Sequence, residues 1–164
     1  MVARNESDSQ RMTVQKKSER EVVITRTFDA PARLVFQAWS TPELFKKWWV
    51  PRSMGMTLRS CEMDVRTGGK YRLVFGDDPA NTMAFFGKYL EVVPDKRIIW
   101  TNEESGDMGS VTTVTLEERE GKTLLLMSEL YPTKEAFDAG TGAQEAMAET
   151  FGQLDELLAE LSAG

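Results

Sequence analysis

The amino-acid sequence predicts an α+β fold in which a curved antiparallel sheet of six to seven strands surrounds one long C-terminal helix. Three observations lead to this prediction. Several segments have the composition and alternation of strands, and the turns between them are too short for parallel crossovers. One segment near the C-terminus carries apolar residues at helical spacing. Two short helices, each marked by a proline, are expected between the first and second strands.

The N-terminal residues 1–18 are polar, and their apolar side chains follow neither a helical nor a strand period. We expect them to form a disordered tail. Residues 19–164 are expected to form a single domain, which suits a chain of 164 residues. Val22, Ile24 and Phe28 alternate with polar residues and predict the first strand of that domain.

Residues 28–51 contain two helix starts. Pro31 suits the first position of a helix, where its missing N–H would have no partner. Thr41 is expected to cap the second helix with its hydroxyl, and Pro51 is expected to end it. The two helices carry a surplus of large apolar side chains, which must be buried: Val35, Phe36, Trp39, Leu44, Phe45, Trp48 and Trp49.

After Pro51 the pattern changes to strands separated by turns rich in glycine, proline and aspartate. The predicted strands span residues 56–64, 70–75, 83–93, 97–102, 111–118 and 123–131. Because such short turns join antiparallel neighbours, we expect a meander.

The C-terminal segment predicts one long amphipathic helix. Its apolar stripe consists of Ala143, Met147, Phe151, Leu154, Leu158 and Leu161. From residue 135 to the end there are seven acidic side chains and no basic ones, which we interpret as a solvated face, with an acidic docking surface as the alternative. A single helix cannot cover a flat sheet of this width, so the sheet must curl around the helix and can leave an apolar cavity between them.

Charge and composition exclude several classes of function. The formal net charge of −6 argues against nucleic acid or an anionic membrane surface as the main partner. Without histidine the chain builds no Ser-His-Asp or Cys-His nucleophile, and neither a metal nor a cofactor is indicated. The single cysteine, Cys61, excludes an internal disulfide and fits a reducing compartment. No leader and no membrane-spanning apolar run is found, so we expect a soluble, cytoplasmic protein.

Several motifs occur together in the order and spacing of a known family. They are Ala30-Pro31, Val35-Phe36, Ala38, Thr41-Pro42-Glu43-Leu44, Trp48-Trp49, Pro51, Asp64-Val65-Arg66-Thr67-Gly68-Gly69, Gly87, Glu91-Val92-Val93-Pro94 and Thr113-Val114-Thr115-Leu116-Glu117-Glu118. On these motifs the chain resembles the START-like (SRPBCC) helix-grip superfamily related to the birch pollen allergen. Within it, the similarity is to the branch named after the activator of heat shock protein 90 ATPase.

The resemblance implies a helix-grip fold, an apolar cavity and, for most bacterial members, no assigned reaction. Many relatives carry Gly-Trp near the start of the last helix, whereas this chain has Glu149-Thr150 followed by Phe151. We therefore expect one end of the cavity to be shaped differently from that of those relatives.

Side chains that alternate toward the helix are the candidates for the cavity wall. Along residues 70–75, for example, Tyr71, Leu73 and Phe75 share one face of the strand. The full set of predicted ligand-binding residues is Trp39, Trp48, Tyr71, Leu73, Phe75, Phe85, Tyr89, Trp100, Met127, Glu129, Met147 and Phe151. Ordinary core packing is the alternative for each of them.

Glu129 is the weak candidate for catalysis, because a carboxylate on an inward face is costly unless it is paired or protonated. It could orient a polar ligand group, act as general base on an acidic C–H, or form a structural ion pair at the cavity rim. One or two residues from a set on the predicted strands are expected to reach it: Tyr71, Tyr89, Glu62, Asp64 and Arg72.

Two further sets of charges have simpler interpretations. Asp64 and Arg66, placed before two glycines, are expected to fix a turn between strands. Lys46, Lys47 and Arg52 form a basic cluster that could attract a ligand carboxylate at the cavity mouth, with solvated surface as the alternative.

Three functions from different classes remain open on this evidence. The leading hypothesis is a soluble domain that binds a hydrophobic or amphipathic small molecule between the long helix and the sheet. The second is an enzyme of the cyclase or aromatase type that uses the same cavity, with Glu129 or a tyrosine as acid or base. The third is a co-chaperone that acts on a heat shock protein 90 ATPase. The sequence leaves open whether the chain forms a homodimer.

Overall fold

One antiparallel sheet dominates the computed structural model, which describes residues 12–55, 57–76, 78, 80–103, 109–139 and 143–163. Within these residues eight strands lie in the order β1-β2-β8-β7-β6-β5-β4-β3. The strands are β1 (Thr13–Lys16), β2 (Glu21–Phe28), β3 (Leu58–Met63), β4 (Lys70–Phe75), β5 (Met83–Val93), β6 (Arg97–Thr101), β7 (Val111–Arg119) and β8 (Lys122–Leu130). The helices are α1 (Ala32–Ser40), α2 (Pro42–Trp48), α3 (Lys134–Ala139) and α4 (Ala143–Ala163), with a 3₁₀ turn at Arg52–Met54.

This architecture confirms the predicted fold: a curved antiparallel sheet, a long C-terminal helix and two short helices after the first long strand. The first and last long strands, β2 and β8, are paired along their whole length, from Glu21 opposite Leu130 to Phe28 opposite Thr123. This pairing places the first and last long strands side by side and leaves β3 at one edge of the sheet.

The strand β1 was not predicted, since its residues were assigned to the disordered tail. It pairs with β2 from Thr13 opposite Thr25 to Lys16 opposite Val22, and the two threonine hydroxyls are hydrogen-bonded. All four residues of β1 are exposed. An edge strand is held by backbone hydrogen bonds and needs no alternation of apolar side chains, which is why the pattern did not indicate it. The predicted tail's residues 1–11 lie outside the described residues.

The two short helices lie at the positions that Pro31 and Pro42 indicate in the sequence, but their N-terminal caps differ from the prediction. Pro31 precedes α1 as its N-cap residue, and the Ala32 N–H donates to Glu118 Oε1 of β7 at 2.9 Å. The Thr41 hydroxyl makes no cap hydrogen bond at the start of α2. The Glu118 carboxylate, which comes from the sheet, therefore accepts a first-turn N–H of α1, a role that the side chain of the N-cap residue has in most helices.

The last helix packs on the sheet with the predicted apolar stripe. Phe151 and Leu154 are fully buried, and the Phe151 ring meets the Phe28 ring edge-on with centroids 5.4 Å apart. A buried arginine reinforces this contact: Arg26 of β2 is 3% exposed, forms an ion pair with Asp155 of α4 and lies over the Phe28 ring. The helix is thus fixed to β2 by both apolar and ionic contacts.

Gln153 of α4 joins the last helix to the segment that follows α2. Its Nε2 donates to the carbonyl oxygens of Trp48 and Val50, each at 2.9 Å, and its Oε1 accepts the Arg52 N–H at 2.8 Å. Gln153 is 4% exposed. These three bonds satisfy backbone groups at the end of α2 that have no partner within that helix.

Glu149 extends this contact to the 3₁₀ turn. Its carboxylate accepts both the backbone N–H and the hydroxyl of Ser53, and Thr150 donates to the Trp49 carbonyl at 3.4 Å. Glu156, two turns further along, pairs with Arg52 at 2.8 Å. Where many relatives carry Gly-Trp, this chain therefore has two residues that hold the segment 49–53 against the last helix.

Candidate functional site

Two cavities with shared walls lie between the inner face of the sheet and the helices. The larger one has a volume of about 340 Å³, and the smaller one about 60 Å³. Trp49, Phe85, Trp100 and Asn102 line both of them. The larger cavity is further lined by Val22, Ile24, Phe75, Ser110, Thr112, Met127, Glu129, Tyr131 and Met147. The smaller one is further lined by Trp39, Phe45, Met63, Tyr71, Leu73, Tyr89 and Ile98.

Ten of the twelve residues predicted for the cavity wall border one or both cavities. Trp39, Tyr71, Leu73 and Tyr89 lie at the smaller one, and Phe75, Met127, Glu129 and Met147 lie at the larger one, with Phe85 and Trp100 at both. Strand alternation brings them together, because β4, β5, β6 and β8 all present one face to the same space.

Trp48 and Phe151 differ from the prediction and belong to the packed core. Both are fully buried, and neither borders either cavity. The Trp48 indole N–H donates to the Ala38 carbonyl at 2.9 Å, and this bond joins the Trp48 ring of α2 to the backbone of α1. Periodicity alone could not separate these two from the wall residues, since core and cavity lie on the same apolar face.

A chain of hydrogen-bonded polar groups runs along the walls of the two cavities. The Tyr71 hydroxyl donates to the Thr101 carbonyl at 2.7 Å and lies 3.2 Å from Asn102 Oδ1. Asn102 Nδ2 donates to Ser110 Oγ at 2.9 Å, and that hydroxyl donates to Glu129 Oε2 at 2.9 Å. Polar side chains thus connect the smaller cavity with the larger one.

Gly87 makes the Tyr71 end of this chain possible. In the register of β4 and β5, Tyr71 stands opposite Gly87. A Cβ at position 87 would lie 2.0 Å from the Thr101 carbonyl oxygen, the atom that accepts the Tyr71 hydroxyl. Only glycine allows the backbone at Thr101 to come this close.

Glu129 is on the inward face, as alternation predicts, and its carboxylate accepts from Ser110, which was not among the expected partners. A hydrogen-bonded chain through Ser110 and Asn102 links it to Tyr71, one of the groups expected near it. Glu62 and Arg72 are exposed and stand opposite each other on the outer face of β3 and β4.

Asp64 takes part in the turn that the sequence indicates. Its carboxylate accepts the Arg66 Nε–H at 2.8 Å, and Gly69 passes so close to the Asp64 carbonyl that a Cβ there would overlap it. Both side chains of the pair are exposed, so Asp64 fixes the turn between β3 and β4 and does not border the cavities.

Tyr89 and Tyr131 remain protonated at neutral pH. Burial, with the negative charge of Glu129 adding to it, raises the pKa of Tyr131 to about 12. Burial also raises the pKa of Tyr89 well above its ordinary value. These hydroxyls therefore act as neutral hydrogen-bonding groups.

Trp39 carries an unsatisfied donor at the smaller cavity. Its side chain is 3% exposed, and its indole Nε1 is a buried atom without a hydrogen-bond partner among the described residues. A buried N–H left without a partner costs about 1–3 kcal/mol. Such an atom beside a cavity is a natural contact for an acceptor on a bound molecule.

The predicted basic cluster lies away from the cavities. Lys46 and Lys47 are exposed on α2, and neither they nor Arg52 border the larger or the smaller cavity. The Arg52 guanidinium is paired with Glu156, which raises the pKa of Arg52 and lowers that of Glu156.

Several residues that line the cavities were not predicted from the sequence, chiefly Trp49, Asn102, Ser110, Thr112 and Tyr131. Asn102 and Ser110 flank the connection between β6 and β7, and Thr112 is the second residue of β7. Tyr131 directly follows β8 and continues the alternation of Met127 and Glu129, so the strand pattern did indicate it.

Neither a metal site nor a membrane-spanning helix emerges from the described part of the chain. The described acidic and cysteine side chains form no group of three or more that could hold a metal ion. Of the helices there, none has both the length and the apolar character needed to cross a bilayer.

Comparisons with known proteins agree with this geometry. The profile of the family described as activator of Hsp90 ATPase homolog 1-like protein matches residues 29–161. A crystal structure from Rhodobacter sphaeroides is 26% identical, has a TM-score of 0.82, and the match covers 92% of this chain and 99% of that one. A crystal structure from Nitrosomonas europaea is 27% identical with a TM-score of 0.78, over 91% of this chain and 100% of that one. A solution structure from Staphylococcus epidermidis is 26% identical with a TM-score of 0.75, over 91% and 94% of the two chains. The comparison with curated proteins gives no match.

Proposed function

The chain belongs to the family of activator of Hsp90 ATPase homolog 1-like proteins, and we propose that it binds a hydrophobic or amphipathic small molecule in its two cavities. The observation that carries this proposal is the composition of the walls, which are aromatic and aliphatic apart from one short chain of polar groups. Small-molecule sites have this character, with volumes of about 300–1,000 Å³. The larger cavity, at about 340 Å³, falls at the lower end of that range.

The rings at the boundary between the cavities support the same proposal. Trp49, Phe85 and Trp100 border both spaces, so one elongated molecule could contact the three of them at once. Phe85 is 37% exposed, a high value for a ring on the inner face of a sheet. A bound apolar group would remove that surface from water, which stabilises the complex by about 25 cal/mol for each Å² covered.

Binding can be tested with a neutral fluorescent probe, N-phenyl-1-naphthylamine, whose emission rises in apolar surroundings. Met147→Trp places a larger side chain in the wall of the larger cavity and should weaken probe binding about tenfold or more. Met83→Trp makes the same change at a residue that is 51% exposed and borders neither cavity, and should leave binding unchanged. Absence of probe binding, together with no small molecule copurifying in native mass spectrometry, would refute the proposal.

An enzyme on the same cavity is the second candidate, favoured by the position of Glu129. Its carboxylate faces the larger cavity and accepts the Ser110 hydroxyl, and Tyr71 lies at the other end of the same chain. A carboxylate so placed could remove a proton from an acidic C–H of a polyketide-like substrate. Glu129→Gln would then abolish turnover while ligand affinity persists; unchanged turnover would remove Glu129 from the mechanism.

A co-chaperone role rests on the family's description and on the acidic last helix. The structure accounts for three of those acids within the chain itself: Glu149 bonds Ser53, Asp155 pairs with Arg26, and Glu156 pairs with Arg52. We therefore favour ligand binding over a co-chaperone role. We place the protein in the cytoplasm, a reducing compartment in which a free cysteine such as Cys61 is common. Stimulation of a heat shock protein 90 ATPase at micromolar protein would reverse this preference.

A further inference from the structure

The wall of the smaller cavity holds no charged side chain among the described residues. Its side-chain nitrogen and oxygen atoms belong to three indoles, two tyrosine hydroxyls and the amide of Asn102. An indole N–H donates a hydrogen bond and accepts none. Because an ion buried without an opposite charge is costly, this wall suits a neutral group, and its indoles favour a group that accepts hydrogen bonds.

Trp39 is a donor in this wall that lacks an acceptor. The residue is 3% exposed, and its buried Nε1 has no hydrogen-bond partner in the described part of the chain. The neighbouring Trp48 indole differs, since it donates to the Ala38 carbonyl at 2.9 Å. A buried donor without a partner carries the full cost of its lost water. A ligand atom that accepts from Trp39 would remove that cost in the complex.

The amide and one hydroxyl of this wall already have partners within the chain. The Tyr71 hydroxyl donates to the Thr101 carbonyl at 2.7 Å and lies 3.2 Å from Asn102 Oδ1. Asn102 Nδ2 in turn donates to Ser110 Oγ at 2.9 Å. These groups are bonded without a ligand, whereas Trp39 Nε1 would gain its first hydrogen bond from one.

We propose that the protein selects apolar molecules whose inner end is a neutral hydrogen-bond acceptor, such as the carbonyl of a ketone or an ester, and that this acceptor bonds to the Trp39 indole N–H. This inference rests on the proposed function and specifies its ligand class. The smaller cavity, at about 60 Å³, is far below the about 300–1,000 Å³ of a small-molecule site, so it admits only the end of a ligand. The rest would lie in the larger cavity, which shares four wall residues with the smaller one.

A carbonyl group suits this wall better than a trapped water molecule. About 10–15 Å³ is enough room for one water, so the volume of the smaller cavity admits water. A buried water, however, typically makes about three hydrogen bonds. A carbonyl oxygen is bonded by a single donor such as Trp39 Nε1, and its apolar substituents contact the surrounding rings.

The indole resonances of the full chain, labelled with nitrogen-15, report this bond directly. The chain is titrated with 2-octanone and with 2-methyl-1-octene, in which a CH₂ group replaces the carbonyl oxygen. We expect the ketone to move the Trp39 indole proton downfield, the direction of a newly formed hydrogen bond, and the alkene not to do so. The Trp48 indole, already bonded to Ala38, is the reference in the same spectrum and should show no downfield shift with either probe.

Two variants test the same bond through affinities, measured by displacement of N-phenyl-1-naphthylamine. Trp39→Phe should lower the affinity of the ketone relative to that of the alkene about fivefold or more, because only the ketone loses a hydrogen bond. Trp48→Phe is the matched control: its ring packs on Trp39 with centroids 4.8 Å apart, but it borders neither cavity. It should leave the ratio of the two affinities within about twofold of the parent. Circular dichroism establishes that both variants are folded, and the spectra of the parent chain need no variant.

The results distinguish this inference from the proposal on which it rests. If neither the ketone, the alkene nor the fluorescent probe binds, the proposed function falls and this inference falls with it. If both probes bind but the ketone leaves the Trp39 indole proton in place, the selectivity is refuted while the binding function stands. Equal changes of the affinity ratio in Trp39→Phe and Trp48→Phe would refute it as well.

Discussion

Gln153 is the position where one substitution tests how the last helix holds the wall of the cavities. In Gln153→Met a side chain of similar length loses three hydrogen bonds, those to the carbonyls of Trp48 and Val50 and that from the Arg52 N–H. Trp48 is fully buried, so its carbonyl has no access to water, and leaving it unsatisfied costs about 1–3 kcal/mol. Val50 and Arg52 are partly or fully exposed, so each lost bond there costs about 0.5–1.5 kcal/mol.

Together these terms give an expected loss of about 2–6 kcal/mol in the free energy of unfolding, with about 4 kcal/mol as the central value. For a domain of this length the central value corresponds to a fall in Tm of about 8–16 °C. Urea denaturation followed by circular dichroism measures the loss in unfolding free energy. The slope of that free energy against urea concentration, the m-value, should not change if only the folded state is affected.

Gln37→Met provides the matched control. Gln37 is exposed on α1, so the same chemical change should alter stability by no more than about 0.5 kcal/mol. If Gln153→Met is as stable as Gln37→Met, the three hydrogen bonds do not hold the segment after α2, and the reasoning about the last helix is wrong.

Three further predictions follow from the same structure. Arg26→Ala removes the buried partner of Asp155 and should cost about 1–3 kcal/mol in urea denaturation, less than for a fully buried pair because the Asp155 side chain is 37% exposed; the double change Arg26→Met with Asp155→Leu should recover most of that loss. Gly87→Ala should destabilise the fold by about 1–3 kcal/mol because the new Cβ would overlap the Thr101 carbonyl. Gly152→Ala has open space around it inside α4 and should instead stabilise the fold by about 0.5–1 kcal/mol. Equal effects of the two substitutions would contradict the close approach at Gly87. Hydrogen bonds from Ser53 lower the pKa of Glu149 below its ordinary 4.5. The contribution of Glu149 to stability is therefore present above pH 4.5 and is lost as the pH falls through the lowered pKa. Glu149→Gln should flatten this acid dependence in a pH series of thermal melts.

The fold could be predicted from the sequence because its main signals are local. Alternation along the strands, short turns and the stripe on the last helix each depend on neighbouring residues, and they agree with one another. The signals that failed were those without an apolar pattern. The strand β1 (Thr13–Lys16) is polar and exposed, and the helix α3 (Lys134–Ala139) has only six residues, too few to show a helical period.

The cavity wall could be predicted only in part, for a different reason. Inward-facing residues such as Tyr71 and Met127 share their periodicity with core residues such as Phe151, and whether space remains beside them depends on how far the sheet curls. The polar partners were harder still. Asn102 and Ser110, eight residues apart, come together across the connection between β6 and β7, a contact that neither helical nor strand periodicity indicates.

The positions of the acidic side chains connect the fold to the candidate site. On the last helix, Glu149, Asp155 and Glu156 each meet a donor from another part of the chain, so their charge serves to hold the domain together. Glu129 differs in its surroundings, because its carboxylate accepts the Ser110 hydroxyl and borders a cavity lined mainly by apolar side chains. Burial of a carboxylate costs free energy unless hydrogen bonds or an opposite charge replace its lost water, so the bond from Ser110 helps to keep Glu129 in the cavity wall.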